Sequence, residues 1–541
     1  MKTQHIFQLI LFVALFPTTM LQAQSWQWVQ SYGGPNSDYT TKICLDQAGN
    51  VYTTSTCMFP YTVFGTNTLA VGYVSEIFIS KLDCQGKFLW IRRAGGFNPE
   101  GGEQDVWDMY YHKGDNSLIM TGVMSGDDRQ IGGCPCYDYL GFFLSKLDTA
   151  GNCIWAKTYA TLGEPSMLTI YPDSLGYIYM AGNTRYKAWF TSNMSIQPGG
   201  FLAKFRADDG SLIWVKKVLE RNGVLSDLVI RPDGIIVSGT SDTDLLKIGG
   251  TQVPCRANDA FIARFTLDGN LEWVKTMGGP GIDIGGDLQT DNFGNLFLSG
   301  IFNGSATFGK VELNNNGKED FYLTKLDVNG TVLWANQLHI SGGINGIFHY
   351  TNNTGETWLN GAFLGSARFG EELVTATSGN ELFVAKYSTD GLCIGVIHDG
   401  SMSNDAFACN SSGEMFIAGG FYGTTYLGEN KLVSRGSRDG FFARHDALTG
   451  IPHPPGSPQL KLIIYANPTT GKCTITIPGE FMHEKQLTLT VFDSMGKLVK
   501  KRSVPLAEGK ISLNLEALAR GIYQVTLDNG EKSYVGRVVF E

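Results

Sequence analysis

The amino-acid sequence predicts an all-β protein, a seven-bladed β-propeller followed by a small β-sandwich. Three observations lead to this prediction. Glycine (67) and aromatic residues (12%) are frequent among the 541 residues, proline is scarce (18), and long runs with the helical period are missing, as expected for short strands joined by tight turns. Three short motifs recur about every 60 residues. After a proline-rich stretch, a second β pattern begins.

The first repeated motif is a tryptophan inside a short alternating strand. Its spacings are 62, 65, 59, 59, 61 and 61 residues. The positions are Trp28, Trp90, Trp155, Trp214, Trp273, Trp334 and, in the last copy, Gly395. A single copy would suit a ligand-stacking platform, but a large ring repeated at one strand position predicts packing between neighbouring sheets.

Two further motifs keep the same period. One is a turn followed by an apolar strand, as in "GNVYTTS" (49–55) and "GNLFLSG" (294–300). The other is an aromatic strand with one basic residue. A weaker element such as "ATFGKVEL" (306–313) lies between the two. The motifs therefore predict four short strands per unit, the make-up of a propeller blade, with seven units in residues 24–450.

The basic residue of the third motif is present in every unit. The seven positions are Lys81, Lys146, Lys204, Arg264, Lys325, Lys386 and Arg444. They could line a central channel and hold an anion, or each could pair with a nearby acid such as the Asp83, Asp148 and Asp327 that follow. A position repeated in every unit usually has a shared structural role, so we favour pairing or a solvated outer strand over an anion site.

The two ends of the repeat array predict how it closes. The last unit ends at "FFARHD" (441–446) with no tryptophan strand after it, whereas the strand around Trp28 precedes the first full unit. Pairing of these two strands would cover two exposed sheet edges. The sequence therefore predicts a closed ring rather than an open solenoid.

The repeat resembles the seven-bladed propeller repeat family called SBBP, which is found in many bacterial exported proteins. The resemblance covers the seven units and depends on turn and strand motifs. It implies an architecture and says little about activity.

Residues 451–459, "IPHPPGSPQ", read as a semi-rigid linker, and residues 460–541 as a β-sandwich with turns at "NPTTG", "DSMGK", "ARG" and "DNGE". These motifs resemble the type A C-terminal sorting domain of the bacterial type IX secretion system. The residues that carry the resemblance are Asn467, Pro468, Gly471, Asp493, Gly496, Gly521, Tyr523 and Arg537. Two positions depart from the family pattern: Ala466 stands where proline is frequent, and Arg537 where lysine is common. An ordinary adhesive β-sandwich is the alternative.

The N-terminus also predicts export. Residues 1–23 combine Lys2, an apolar run over 6–16 and a polar end, which is typical of a secretory signal peptide cleaved after Ala23. No later segment is apolar enough for a membrane span. The resemblance then implies Sec export, passage through the type IX machinery, removal of the C-terminal domain by its sorting protease, and a cell-surface or secreted product.

Charge and motifs exclude several functional classes. The net charge is −9, and because residues 459–541 hold 11 Lys/Arg against 8 Asp/Glu, the body is more acidic still, which argues against nucleic acid. Metal-ligand spacings, nucleophile elbows and phosphate-binding loops are missing from the sequence. We therefore predict no catalytic residue, metal or cofactor. The "DxxGN" motifs at 46–50 and 291–295 are interpreted as hairpin turns rather than calcium loops.

The ten cysteines do not define a disulfide pattern, and "CPC" (134–136) is too tight for a bridge between its own members. The segments that break the repeat are better functional candidates, because propellers acquire binding sites in loops. Four aromatic residues mark them: Trp107, Tyr110, Tyr111 and Trp189. A decorative loop is the alternative for each.

The sequence thus predicts a monomeric exported propeller that binds an unknown protein or glycan. The competing hypothesis is a polysaccharide lyase or hydrolase with acidic residues in the central funnel.

Overall fold

A computed structural model describes residues 26–448, except 73, 98–103, 126, 137–139, 164, 257, 371 and 378. In the C-terminal part it describes 460–465, 469–477, 481, 486–492, 498–505, 510–516, 518, 520–529 and 533–540. Within these ranges the chain is built from β-strands. None of the described segments forms a helix long and apolar enough to cross a membrane. The predicted signal peptide and linker lie outside the described residues.

One strand, β1 (Trp26–Gly33), precedes seven units of similar make-up. Unit 1 contains β2 (Asp38–Leu45), β3 (Val51–Met58), β4 (Tyr61–Phe64), β5 (Asn67–Ala70), β6 (Ser75–Leu82) and β7 (Phe88–Phe97). Unit 2 contains β8 (Gln104–His112), β9 (Ser117–Ser125), β10 (Asp127–Ile131), β11 (Cys134–Pro135), β12 (Leu140–Asp148) and β13 (Cys153–Ala160). Unit 3 contains β14 (Pro165–Pro172), β15 (Tyr177–Thr184), β16 (Ala188–Thr191), β17 (Met194–Ile196), β18 (Gly199–Arg206) and β19 (Leu212–Leu219).

The later units follow the same order, and in two of them the small hairpin merges into longer strands. Unit 4 contains β20 (Gly223–Arg231), β21 (Gly234–Ser241), β22 (Leu245–Ile248), β23 (Thr251–Pro254), β24 (Ala260–Phe265) and β25 (Leu271–Met277). Unit 5 contains β26 (Asp283–Thr290), β27 (Leu296–Phe308), β28 (Val311–Leu326) and β29 (Val332–Ile340). Unit 6 contains β30 (Gly343–Thr351), β31 (Thr357–Leu364), β32 (Ser366–Phe369), β33 (Glu372–Thr375), β34 (Glu381–Tyr387) and β35 (Cys393–Ser401). Unit 7 contains β36 (Ser403–Cys409), β37 (Met415–Leu427) and β38 (Asn430–His445).

Each unit contributes consecutive antiparallel strands to one sheet, which we number first to fourth. The first strands are β2, β8, β14, β20, β26, β30 and β36. We call the edge at which turns join the first to the second strand, and the third to the fourth, the lower edge, and the opposite edge the upper edge. The middle strands are almost wholly buried, for example all eight residues of β21. Neighbouring sheets cover both of their faces, so Val, Ile and aromatic residues suit these positions.

The structure corrects the assignment of the four strands. The first strand of each unit carries none of the three motifs. The weaker element between the second and third motifs is instead a small hairpin that in several units extends the sheet of the preceding unit, as when β22 pairs with β19. The strands of such a hairpin and the strands of a blade both alternate apolar and polar residues. The local sequence pattern therefore cannot distinguish a hairpin that pairs with a distant sheet edge from a blade strand.

The predicted pairing of the two end strands is confirmed. β1 is the fourth strand of the unit 7 sheet, antiparallel to β38, with Trp28 opposite Arg444 and Tyr32 opposite Gly440. Tyr32 is fully buried and stacks between Phe64 and Phe442, with ring centroids 4.6 and 4.9 Å away. The first residues of the described chain thus complete the last unit.

The first strands lie next to one another in order. Each contacts the first strand of the following unit, and β36 contacts both β30 and β2. The fold is therefore a β-propeller in which the first strands surround an axis. The side chains of these strands therefore determine which chemical groups line the axis.

A disulfide links two neighbouring sheets. Cys134 on the β10–β11 hairpin bonds to Cys153 on β13, with the Cα atoms 5.7 Å apart. The hairpin extends the sheet of unit 1 through β7, whereas β13 is the fourth strand of unit 2. The bridge therefore joins the outer parts of units 1 and 2, which the spacing of the cysteines does not reveal.

The C-terminal part forms two sheets around one buried core. Its strands are β39 (Leu460–Lys461), β40 (Ile463–Tyr465), β41 (Lys472–Thr476), β42 (Gln486–Phe492), β43 (Leu498–Pro505), β44 (Lys510–Asn514), β45 (Gly521–Asp528) and β46 (Ser533–Phe540). The last strand, β46, pairs with both β45 and β39. Alternate residues of these strands are buried, as on Lys472–Thr476, which matches the predicted period of two.

Candidate functional site

The seven repeated basic residues lie on third strands near the lower edge. Six of them pair with an acid in the turn between the first and second strands of their own unit: Lys81–Asp46, Lys146–Asp115, Arg264–Asp233, Lys325–Asp291, Lys386–Glu356 and Arg444–Glu414. In unit 3, Lys204 Nζ instead lies 4.0 Å from the centre of the Tyr177 ring. The prediction of pairing with an acid is confirmed at six of the seven positions, and the predicted partners are wrong.

Asp83, Asp148 and Asp327 have a different role. Each accepts main-chain N–H groups two and four residues further on, as when Asp83 Oδ1 accepts from Gln85 and Lys87, both at 2.9 Å. Asp46 and Asp291 do the same in the "DxxGN" turns. The interpretation of these motifs as turns is confirmed, because the Oδ1 atom of each carboxylate accepts the main-chain N–H groups that shape the turn.

The repeated tryptophans join each sheet to the next at the lower edge. Each ring lies against the glycine of the third-to-fourth-strand turn of the following unit, where an added Cβ would come within 2.6 to 3.0 Å of the ring. These glycines are Gly86, Gly151, Gly210, Gly269, Gly330 and Gly391, and all have positive φ. The indoles of Trp28, Trp90, Trp155 and Trp334 also donate to a main-chain carbonyl in that turn at 3.0 to 3.3 Å. These contacts support a packing role rather than a ligand platform.

Three of the four aromatic ligand candidates are not in a loop, so that expectation is wrong. Trp107, Tyr110 and Tyr111 lie on β8, the first strand of unit 2. Tyr111 is buried and stacks on Tyr52 with centroids 6.1 Å apart. First strands carry none of the three repeated motifs, and for this reason the sequence pattern suggests an insertion at β8.

The fourth candidate, Trp189, does lie on a small hairpin, on β16. It is half-buried, and Lys187 Nζ lies 5.0 Å from its ring centre. A ligand role for these four residues stays a prediction.

Polar side chains of consecutive first strands meet around the axis. Thr169 Oγ1 lies 3.1 Å from an oxygen of Asp108 and 2.9 Å from one of Asp227, both within hydrogen-bond distance, and so links units 2, 3 and 4. Asp287 of unit 5 and Lys42 of unit 1 occupy first strands as well, and the charge of Lys42 acts on Asp287. We call Lys42, Asp108, Thr169, Asp227 and Asp287 the axial polar cluster.

The axial carboxylates bind the main chain of the next first strand. Asp108 accepts from Ile170 N, Asp227 from Leu288 N, and Asp287 from His349 N, at 2.9, 2.9 and 3.2 Å. The same geometry at three seams indicates a structural role, since it satisfies main-chain donors that no sheet partner reaches.

Burial raises the pKa of two of these acids. The pKa of Asp227 rises to about 7, first because of burial and then because of the nearby Asp287 carboxylate. Burial likewise raises the pKa of Asp287 to about 6, while the Lys42 ammonium opposes the shift. The axis therefore holds protons near neutral pH.

We predict that this proton uptake makes stability depend on pH. Because the folded-state pKa of Asp227 lies above the ordinary value of about 3.9, protonation of this carboxyl stabilises the folded state. This stabilisation is complete below the ordinary pKa and is lost as the pH rises through about 7. Urea unfolding from pH 4 to 8 should show the wild-type free energy of unfolding falling relative to that of Asp227→Asn. A difference that stays constant over this range would contradict the assignment.

Exposed apolar side chains lie at the upper edge of several sheets. They include Phe59, Leu162, Met167, Tyr186, Ile282 and Tyr422, whose exposed fractions run from 41 to 67%. Most of them follow a second strand or begin a first strand. Apolar groups exposed in this way are typical of binding surfaces when they are clustered.

A polar cavity of about 300 Å³ lies at the same edge, between units 6 and 7. Its walls include Tyr422, Asn380, Ser403, Asp405 and Arg438. Arg438 Nη2 donates to Ser403 Oγ at 2.6 Å and also pairs with Asp405. Burial raises the pKa of the Asp405 carboxyl although Arg438 lowers it. The cavity thus combines an exposed ring with amide, hydroxyl and charged groups.

Among the described residues, no group of three or more His, Cys, Asp or Glu side chains is placed to hold a metal ion.

Of the predicted sorting-domain residues, three can be placed in detail. Gly471 has a φ of +134° and precedes β41, Gly521 begins β45, and Tyr523 is buried in the core. Arg537 lies on β46 opposite Gln524. Asn467, Pro468, Asp493 and Gly496 lie outside the described residues.

Comparison with known proteins identifies the C-terminal part. Residues 463–541 match the family described as "Secretion system C-terminal sorting domain". The match indicates export through the type IX secretion system, to the cell surface or the medium. No curated protein matches the chain.

Solved structures with a similar fold include several propellers. BamB from Moraxella catarrhalis is 10% identical, with 80% of this chain and 99% of that chain covered and a TM-score of 0.33. The WD40 β-propeller domain of Doa1 is 12% identical, with 79% and 97% covered and a TM-score of 0.38. The Neurospora crassa Pan2 WD40 domain is 8% identical, with 78% and 90% covered and a TM-score of 0.36. Nothing about ligand or activity follows from likenesses this distant. The resemblance of the repeat to the SBBP family stays a prediction.

Proposed function

We propose that the protein is an exported binding scaffold for a protein or glycan, carried to the cell surface or released by type IX secretion. In this proposal the seven sheets are the blades of one closed propeller, residues 24–450. The two C-terminal sheets, residues 460–541, are a sandwich that the type IX machinery recognises and its sorting protease removes. Sec export depends on the predicted signal peptide, residues 1–23.

The observation that carries the binding role is the polar cavity at the upper edge with its exposed ring. Tyr422 is 65% exposed beside the Arg438–Asp405 pair. A flat exposed ring next to fixed donors and acceptors suits a sugar or a polar peptide segment, because the ring contributes apolar contact and the polar groups set orientation.

The axial acids are the main argument for the competing enzyme hypothesis. Two carboxyls with raised pKa in one channel could serve as acid and base. However, Asp108, Asp227 and Asp287 each accept a main-chain N–H of the neighbouring unit. This shared structural role favours binding over catalysis.

A glycan screen separates the two functions. The purified chain, immobilised, is tested against polysaccharides for retention and for release of reducing ends. We expect retention without release, and the double variant Tyr422→Ala/Arg438→Ala should bind at least about tenfold more weakly, the effect of losing about 1.4 kcal/mol. Reducing-end release with turnover would replace the binding proposal by the enzyme hypothesis.

The matched control is a pair of exposed residues at the opposite edge. Leu175 and Phe293 are 73% and 72% exposed in lower-edge turns. Leu175→Ala/Phe293→Ala should leave retention unchanged. Equal losses in both double variants would place the binding surface elsewhere.

A further inference from the structure

Two of the seams between neighbouring units contain the same short segment. The segments are "GGPNSD" (33–38), between units 7 and 1, and "GGPGID" (278–283), between units 4 and 5. Each begins at the end of a fourth strand and finishes with the acid that opens the next first strand, Asp38 or Asp283. The upper edge therefore carries two copies of one arrangement, and the binding role proposed above uses neither of them.

In the copy between units 4 and 5, a glycine lies against two carboxylates. A Cβ added to Gly278 would come within 2.4 Å of Asp259 Oδ1 and 2.8 Å of Asp283 Oδ2, so the two carboxylates lie side by side. Gly279 N donates to Asp283 Oδ2 at 2.7 Å. Both acids are buried, with 6% and 0% of their surface exposed. Two buried negative charges placed in this way need a positive partner or a proton.

The copy between units 7 and 1 has the same geometry. A Cβ added to Gly33 would come within 2.3 Å of Asp439 Cγ, and the charge of Asp439 acts on Asp38. Gly34 N donates to Asp38 Oδ2 at 2.8 Å. Both acids are fully buried. The agreement between two separate seams indicates a common role for the pair of acids.

Each of the four acids leaves one oxygen without a hydrogen bond. Oδ2 of each accepts a main-chain N–H, donated by Gly34, Gly279, Arg256 or Arg435. Oδ1 of each is buried and has no hydrogen-bond partner among the described residues. The Cys57 thiol and the hydroxyl of the fully buried Thr62 lie close enough to Asp38 to lower its pKa, yet that hydroxyl is without a hydrogen-bond partner as well. Buried polar atoms are nearly always satisfied, so these oxygens point to a ligand that the described chain does not supply.

Protons do not neutralise these pairs at neutral pH. Burial raises the pKa of Asp38 and of Asp283 to about 6, and the facing carboxylate adds to the rise, so both are ionised at pH 7. One arginine serves each pair. Arg435 Nη1 lies 3.0 Å from Asp439 Oδ2, and the charge of Arg256 lowers the pKa of both acids at the other seam. Two carboxylates and one guanidinium leave one negative charge at each seam, which together with the unused oxygens favours a cation.

We propose that each of the two seams binds one Ca²⁺ ion between its two carboxylates. Carboxylate oxygens are preferred ligands of Ca²⁺, and its flexible coordination accepts main-chain carbonyls and water at the remaining positions. Two acids per ion is a low ligand charge, so we expect a Kd of about 0.1–1 mM, as in extracellular modules. The expectation of no metal considered contiguous ligand motifs, which a site shared by two units does not show.

Thermal unfolding of the full chain at pH 7.5 tests the proposal, with Ca²⁺ added to chelator-treated protein as the probe. We expect about 10 mM Ca²⁺ to raise the melting temperature by about 2–4 °C, because the ion binds the folded chain and not the unfolded one. Mg²⁺ should have a smaller effect, since it requires octahedral geometry and loses its water reluctantly. Luminescence of bound Tb³⁺, competed by Ca²⁺, gives the number of sites, which we expect to be two.

Asp38→Asn and Asp259→Asn each remove one site. Each single variant should bind one Tb³⁺ and keep about half of the rise in melting temperature, and the double variant should lose both responses. The variants are expected to fold without Ca²⁺, because the amide can donate to the facing carboxylate. The wild-type chain has such an amide between units 1 and 2, where Gln104 Oε1 lies 2.3 Å from a Cβ added to Gly95.

Asp320→Asn is the matched control. Asp320 occupies the same position before the repeated basic residue in unit 5 and is buried (2% exposed), but the next first strand begins with Gly343 instead of an acid. This variant should keep the full response to Ca²⁺. No rise in melting temperature with Ca²⁺ in the wild type would overturn the proposal, and stabilisation on lowering the pH to 5 would then assign a shared proton to each pair. An unchanged response in the double variant would overturn it as well.

Discussion

Deletion of residues 24–34 is expected to unfold the protein or to make it oligomerise. The deletion removes β1, so β38 loses one of its two antiparallel partners, the one that pairs over Trp26–Tyr32. An unpaired strand edge of this length favours pairing with a strand of another copy of the protein. It also removes Tyr32, fully buried between Phe64 and Phe442, and the Trp28 indole that joins unit 7 to unit 1 through the Cys84 carbonyl.

Light scattering after gel filtration and thermal unfolding measure this effect. A rearranged chain with residues 24–34 moved behind residue 450 provides the control. In this chain the strand follows β38 and can pair with it again. It should be monomeric and melt near the wild type. A soluble monomer with unchanged melting after the deletion would contradict a closed ring.

A single substitution tests the same seam without deleting the strand. Tyr32→Ala should lower the free energy of unfolding by about 3–5 kcal/mol, as for other large aromatic residues removed from a core. It also leaves the Thr40 hydroxyl, 2.9 Å from Tyr32 Oη, without that partner. Denaturant unfolding of both proteins gives the difference.

Removal of the last strand is the second large effect, and it acts on location. Without residues 533–541 the chain is expected to stay in the periplasm, because β46 is flanked by β45 and β39 and contributes the buried Tyr534, Val538 and Phe540 to the core. Cell fractionation and protease accessibility of intact cells measure the distribution. The surface form of the wild type should end near residue 460, as read by mass spectrometry.

Loss of folding and loss of recognition can be separated by Arg537→Lys and Arg537→Ala. Both keep the pairing of β46 with β45 at Gln524. If the secretion machinery recognises the positive charge at this position, the lysine variant should be exported normally and the alanine variant less well. Surface delivery of the chain that lacks β46 would show that the C-terminal domain is not the sorting signal.

Much of the architecture could be predicted from the sequence because its determinants are local. Turns that require a carboxylate and a glycine, as at Asp83 and Gly86, recur at a constant interval and mark hairpins. The tryptophan strand at Trp28 is visibly separated from any unit, and its pairing with β38 follows from the count of motifs. The turn motifs of the C-terminal part are equally local, and residues 463–541 match the sorting-domain family that they resemble.

The features that could not be predicted from the sequence depend on interactions between units. The first strands vary in sequence because their side chains face the neighbouring units and the axis, so Trp107 and Tyr110 read as an insertion although they lie on β8. The partner of Lys81 is Asp46, 35 residues earlier and across the sheet, not the adjacent Asp83. The sequence by itself determined where strands and turns form and that seven units repeat. Only the tertiary structure decided which sheet edges the small hairpins extend and which charges meet at the axis, because these depend on residues that folding alone brings together.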